Sequence, residues 1–296
     1  MELKDYLHNR STLVDQALDH WLPAESLLPL SLHQAMRYSV FAGGKRLRPI
    51  LMIAASEAVG GSAQQVMHAA CAMEMIHTYS LVHDDLPAMD DDDFRRGRPT
   101  NHKVYGEATA VLAGDALLTE AFRLLADAEA NRLVPPATAL RVIELIARYA
   151  GSQGMVGGQV VDMESEGKEI DFPTLEYIHT HKTGGLILAS VQVGALLGGG
   201  DEERFAALTR FGGAAGLAFQ IADDILDVVG DQAELGKDVG SDQARGKATY
   251  PALLGIAEAR QRADELCDIA VGAIASLGKS AETLRVLARY IIDRNS

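Results

Sequence analysis

Cysteine is scarce in this chain. Only Cys71 and Cys267 occur in 296 residues, far apart and without metal-ligand spacing, so neither a disulfide framework nor a thiolate metal centre is expected. Positive charge is also short: 27 basic side chains face 41 acidic ones, a formal net charge of −14. That balance excludes a protein that tracks nucleic-acid phosphates. It leaves small anionic substrates open, because bound divalent cations reverse the local sign of charge. The N-terminus, Met1 to Tyr6, is charged and lacks an apolar signal-peptide core. The longest uncharged run, Thr183 to Gly200, is interrupted by glycines and Gln192 and reads as a buried helix, not a membrane span. The expectation is a cytoplasmic protein without membrane insertion.

Period-two alternation of β-branched residues is nearly missing as well, which argues against sheets. What remains is helical. Ala, Leu, Glu and Arg dominate, and 48% of residues are hydrophobic, enough for a sizeable core. The spacing predicts helices near 3–20, 31–42, 47–59, 63–86, 107–130, 136–151, 152–166, 173–197, 202–229, 249–277 and 280–294. Pro23, Pro29, Gly43-Gly44, Gly60-Gly61, Pro87, Pro99, Pro135-Pro136 and Gly198 to Gly200 fall between them. Segments such as Ile50–Ala55 and Leu186–Leu197 are apolar on most faces and belong inside a large bundle. Small residues crowd 184–200 and 212–218, allowing close helix contacts. The expected fold is all-α, a single helical domain over 1–296, with functional residues on inward faces.

Two acidic helix ends stand out. His83-Asp84-Asp85-Leu86-Pro87 continues into Asp90-Asp91-Asp92-Asp93. Pro87 discourages helical geometry at Leu86, so Asp84 and Asp85 sit on a last turn. The macrodipole is negative there and costs roughly 0.3–1 kcal/mol per exposed anion. Asp223-Asp224-x2-Asp227 shows the same oddity before Gly230. Asp223 and Asp227, four apart, share a face, with Gln220 on the same stripe. One such end reads as a solvated acidic cap. Two, both following apolar helices, need a cation between them if they face each other. Oxygen-only donors suit magnesium, which leaves positions for water and phosphate oxygens.

Matching cations are present. Gly43-Gly44-Lys45-Arg46-Leu47-Arg48-Pro49 places three basic side chains at a glycine turn, where backbone approaches closely and arginine grips phosphate bidentately. Arg95-Arg96-Gly97-Arg98 directly follows the first acidic group, and Lys182-Thr183, Lys237 and Lys247 are further candidates.

With these residues in hand, the chain resembles the trans-prenyl diphosphate synthases over essentially its whole length, and among them the bacterial farnesyl diphosphate synthases. Asp84-Asp85-x4-Asp90 is similar to the first aspartate-rich motif of that family in its longer form, and Asp223-Asp224-x2-Asp227 to the second. Gly43-Gly44-Lys45-x-x-Arg48-Pro49, Gly158-Gln159-x2-Asp162, Lys182-Thr183 and Gly246-Lys247-x-Thr249-Tyr250-Pro251 complete the set. The resemblance implies a helical bundle around a deep cavity, as a homodimer. It implies that Asp84, Asp90 and Asp223 ligate magnesium, with Asp85, Asp224 and Asp227 in support. Three magnesium ions per site are implied, with manganese as the alternative ion. Arg95, Lys182, Lys237 and Lys247 would hold the allylic diphosphate, with Thr183 and Gln220 nearby. Lys45, Arg48, His77 and Arg96 would hold isopentenyl diphosphate.

The implied reaction is ionisation, condensation and elimination, yielding (E,E)-farnesyl diphosphate from dimethylallyl or geranyl diphosphate. Ser80 and Tyr79 lie four and five positions before Asp84, about 6 Å deeper along the helix. Bulky Tyr79 is expected to stop growth at fifteen carbons. The rival within the fold is a geranylgeranyl diphosphate synthase. A metal-dependent phosphohydrolase using His83-Asp84 as an HD dipeptide, with His77 upstream, is a different class. It leaves the 223–227 group and the basic turn unexplained. A terpene cyclase would mix Asn, Ser and Glu in its second metal motif, and a non-catalytic scaffold would be expected to lose aspartates; neither matches.

Overall fold

The computed structural model describes residues 2–229 and 249–293. The chain divides into two compact units: residues 1–50 with 67–143, and residues 51–66 with 144–296. Among the described residues the fold is all-α apart from one two-stranded ribbon.

The first unit contains α1 (Leu3–Trp21), α2 (Leu30–Val40), the start of α3 (Leu47–Ala58) and most of α4 (Ala63–Asp84). The ribbon of β1 (Phe94–Arg95) and β2 (Arg98–Pro99) follows, then α5 (Asn101–Tyr105) and α6 (Glu107–Leu125). The core of this unit includes Val14 and Leu18 of α1, Met36 and Val40 of α2, and Leu117 and Leu124 of α6, all essentially inaccessible. Helix α6 ends at Leu125, five residues before the 107–130 expectation, because Asp127 and Asn131 fold into side-chain-bonded turns.

The second unit holds the rest of α3, the end of α7 (Pro136–Ala150), α8 (Met155–Ser165), α9 (Phe172–Ile178), a π-helical turn His179–Gly184, α10 (Gly185–Leu197) and α11 (Glu202–Val229). After the undescribed stretch come α12 (Tyr250–Leu254), α13 (Ile256–Ala273) and α14 (Glu282–Asp293). Helix α10 is buried over most of its circumference, as its predominantly apolar sequence demands, with Ser190 and Gln192 buried among the apolar residues. It packs on α11, and Gly194 lies against the Met52 carbonyl and 2.8 Å from Ala55 Cβ once a Cβ is built on it, so only glycine fits. The expected helix 249–277 is broken at Gly255, whose φ of +82° turns the chain between α12 and α13. The expected helix 173–197 is interrupted by the π turn, which inserts a wider loop of backbone around Lys182. Among the described residues no helix is long and apolar enough to cross a membrane.

Candidate active site

In the first unit the acidic motif forms a closed loop. Helix α4 ends at Asp84, and the Asp84 carbonyl accepts a 2.8 Å hydrogen bond from the Asp90 amide. The amides of Met89 and Asp91 close onto the Leu86 carbonyl at 2.9 and 3.1 Å. This brings the backbones of Asp84 and Asp90 together despite the six-step separation. Both side chains are half-buried. Asp85 is buried, and its Oδ1 receives Arg95 Nε at 2.7 Å and Nη2 at 2.6 Å. Burial pushes the Asp85 carboxyl up, and Arg95 opposes that shift. Burial alone would lower Arg95, but its hydrogen bond to Asp85 and the charges of Asp85, Asp84 and Asp92 raise it.

The ribbon that carries Arg95 turns at Arg96 and Gly97, with φ of +54° and +72°, a tight reversal of the type I′ kind. Positive φ at Arg96 swings its side chain to the glycine turn. Arg96 Nη1 donates to the Gly43 carbonyl, and a Cβ on Gly44 would meet the Arg96 guanidinium at 2.6–2.8 Å. Glycine at 44, with φ of +125°, makes room for it. The basic turn and the arginine ribbon, remote in sequence, are thus one structure. Lys45 is exposed and Arg48 half-buried. Arg46, the third cation of that turn, points inward to Asp15, Glu74 and the Val40 carbonyl. Spacing alone did not separate it from its neighbours.

His77 on α4 sits in the field of these arginines. Burial lowers its pKa well below the ordinary value, and Arg48, Arg96, Arg95 and Arg46 lower it further. Tyr79 is 6% exposed, edge-on to His83 at 5.7 Å, and burial beside Asp84 pushes its hydroxyl up to about 12. Ser80 Oγ bonds back to the His77 carbonyl at 2.8 Å. His83 packs against Gly114, and its Nε2 lies 3.0 Å from the Val111 carbonyl of α6. The imidazole of the HD dipeptide is therefore committed to α6.

In the second unit Asp223 is half-buried and Asp227 buried, one turn apart on α11. Asp224 is engaged through both oxygens. Gln220 Nε2 donates to Oδ1 at 3.0 Å, and the Tyr250 amide, opening α12, donates to Oδ2 at 2.9 Å. His179 Nε2 stands 3.4 Å from the same Oδ2, and the His179 ring stacks on Tyr250 at 5.2 Å. Asp224 thus ties the second aspartate motif to Thr249-Tyr250-Pro251. Gln220, placed by spacing on the Asp223 stripe, bonds to Asp224 instead.

Lys182 projects from the π turn and donates to Asp162 Oδ2 at 2.6 Å. Gly158 allows this, because a Cβ there would lie 2.9 Å from Lys182 Cα and 3.0 Å from the His181 carbonyl carbon. Thr183 is half-buried beside it. Gly158, Asp162 and Lys182, separate motifs in sequence, are one contact. Lys237 and Lys247 lie outside the described residues.

Three imidazoles predict a pH response. Burial lowers His68, with Asn131 and Asp127 opposing; it lowers His77; and it brings His179 down to about 4, aided by Lys182 and opposed by Asp162. The unfolded chain protonates these rings near 6.5, the folded chain only at lower pH, so the unfolded state binds more protons between those values. Stability should fall as pH drops below about 6.5, by at most about 1.4 kcal/mol per pH unit for each ring. Urea midpoints at pH 7 and pH 5 check this; an unchanged midpoint would count against buried neutral rings.

The donors fit a hard divalent ion. Asp84 and Asp90 in the first unit, and Asp223 and Asp227 in the second, offer oxygen donors alone. Carboxylate oxygens suit magnesium when water and phosphate oxygens complete its shell.

An all-helical chain with two aspartate-bearing helix ends and an arginine-lined turn defines the class of trans-prenyltransferases. The profile of the polyprenyl synthetase family matches residues 29–283, and the chain belongs to that family. It is 51% identical over 263 residues to a farnesyl diphosphate synthase of Geobacillus stearothermophilus, covering 88% of each chain. It is 49% identical over 268 residues to a heterodimeric geranylgeranyl pyrophosphate synthase large subunit of Arabidopsis thaliana, covering 90% of this chain and 72% of that one. The crystal structure of an FPP/GFPP synthase from Zymomonas mobilis superposes with a TM-score of 0.87 at 37% identity, over 98% of both chains. Enzymes of this family need a divalent metal.

Proposed function

We propose that the chain condenses isopentenyl diphosphate with dimethylallyl and then geranyl diphosphate to give (E,E)-farnesyl diphosphate. It would act as one polyprenyl synthase domain over 1–296, as a cytoplasmic homodimer. The observation that carries this reading is the arginine cluster. Arg96 seated on the Gly43-Gly44 turn, in the same field as Arg48 and His77, would serve as an anion site built from cations rather than carboxylates. A hydrolase needs one diphosphate site, held through metal. A condensing enzyme needs a second, metal-free one for the nucleophile, and this cluster supplies it.

Asp84, Asp90, Asp223 and Asp227 would hold magnesium on the allylic diphosphate, three ions in all, with Asp85 and Asp224 in support. The metal supplies neutralisation of the leaving diphosphate as its C–O bond breaks. Arg95 and Lys182, aligned by Asp85 and Asp162, add positive charge to the same leaving group, with Lys237 and Lys247 as further donors. Lys45, Arg48, His77 and Arg96 hold isopentenyl diphosphate so that its double bond meets the allylic carbon. Thr183 and Gln220 orient dipoles toward the developing cation. Loss of a proton to the departed diphosphate restores the double bond. Water is kept out by apolar helix faces, or the cation would end as an alcohol.

Incubation with dimethylallyl diphosphate, labelled isopentenyl diphosphate and magnesium should give a C15 diphosphate. Mainly C20 product would favour the geranylgeranyl reading, and phosphate release without coupling would overturn prenyl transfer.

Tyr79, buried one turn below Asp84, is the proposed floor for the growing tail, with small Ser80 beside it. Its neutral ring is an apolar stop. Tyr79→Ala should shift the main product from C15 to C20 or longer on chromatography. Unchanged chain length would remove Tyr79 from the floor.

A further inference from the structure

Helix α1 lies ahead of residue 29, where the family match begins, yet it reaches the basic turn. Val14 and Leu18 are fully buried and fix the helix in the first unit, while Asp15 between them stays 46% exposed. Asp15 Oδ1 accepts from Arg46 Nε at 2.8 Å. The same guanidinium donates to Glu74 Oε1 at 2.8 Å, to the Val40 carbonyl at 2.6 Å and to the Gly43 carbonyl at 3.4 Å. Arg46 is 3% exposed and Glu74 2%. A φ of +50° at Arg46 is a conformation that residues with a Cβ seldom hold, and it turns this side chain inward between exposed Lys45 and half-buried Arg48.

Two features connect this network to substrate. The Gly43 carbonyl that Arg46 approaches is the acceptor for Arg96. Glu74 stands three residues before His77 on α4, on the same side of the helix. Displacing the Arg46 guanidinium therefore alters the turn that carries Lys45 and Arg48, and the seat of Arg96, at once. Asp85 forms its ion pair with Arg95, whose Nη2 also lies 3.5 Å from Asp92, rather than with Arg46.

We propose that Asp15 is a positioning residue: through Arg46 and Glu74 it holds the Gly43–Arg48 turn in the shape that binds isopentenyl diphosphate. This rests on the reading of that turn given above. Its action is one-sided, bearing on the homoallylic substrate and not on the allylic one.

The test is steady-state kinetics on Asp15→Asn, Asp15→Glu and Glu74→Gln, each substrate varied in turn, beside the unaltered protein. Asp15→Asn should raise KM for isopentenyl diphosphate about fivefold, with kcat and the allylic KM within about twofold, because one charge-assisted hydrogen bond is weakened. Asp15→Glu should recover most of the loss. Glu74→Gln, which keeps the acceptor but removes a buried charge, should show a larger change of the same one-sided kind. An unchanged KM for isopentenyl diphosphate in Asp15→Asn, or equal rises for both substrates, overturns the proposal. Failure of the unaltered protein to couple the two substrates overturns the underlying reading and this proposal with it; normal coupling with an unshifted Asp15→Asn overturns the proposal alone.

Discussion

Asp84→Asn should lower kcat by about a thousandfold or more while leaving the thermal midpoint nearly unchanged. Magnesium on a diphosphate needs anionic oxygen, and an amide of the same size offers only a neutral one. The structure separates this effect from damage to the fold. The Asp84 contact that closes the acidic loop uses its main-chain carbonyl, which the substitution keeps. The side chain is half-buried at the end of α4, where its charge opposes the helix dipole and also acts on Arg95, so the two effects of neutralising it oppose each other. Product formation from labelled isopentenyl diphosphate, titrated with magnesium, checks the result. Activity within about tenfold of the starting protein at ordinary magnesium would show that Asp84 is not a metal ligand. Asp85→Asn is a less clean comparison, because it also weakens a buried ion pair with Arg95.

Gly158→Ala should be damaging out of proportion to one methyl group. The new Cβ would press on the Lys182 backbone and on the His181 carbonyl carbon. Backbone cannot rotate away as a side chain can, so α8 and the π turn must separate. Overpacking of this kind costs roughly 1–3 kcal/mol. The larger consequence is functional, because separation pulls Asp162 from Lys182, now 2.6 Å apart. A rise of about tenfold or more in the allylic KM is expected, with little change for isopentenyl diphosphate. Urea denaturation and two-substrate kinetics measure the two parts. Full stability together with full activity would mean that the helices are not in fact clamped at this glycine.

Helix ends and acidic motifs were readable because they depend on local rules. Pro87 ends α4 by steric exclusion, and the apolar breadth of α10 marks it as interior. The lone ribbon escaped the helical pattern, since two-residue strands carry no periodicity. The π turn escaped because Thr180 to Gly184 carry no periodicity that separates a π turn from an α-helix. Arg46 carries the same charge as Lys45 and Arg48 beside it, and its positive φ, which spacing does not reveal, is what turns it inward. Asp224 likewise reads as one more carboxylate. Its tie to Tyr250 spans 26 positions, too far for any local rule, and so does the 20-residue reach from Asp162 to Lys182.

The bond from the Asp90 amide to the Asp84 carbonyl is a clasp made of main chain alone. Its two bonding groups are backbone, while buried Asp85 and Leu86 and helix-ending Pro87 set the shape of the bight around it. Ala88 there is exposed, and nothing in the clasp uses its side chain. A library randomised at position 88 should therefore yield mostly active clones, whereas changing the number of residues in the bight should undo the clasp and silence the enzyme. At position 88, segment length rather than side-chain identity is what selection would hold.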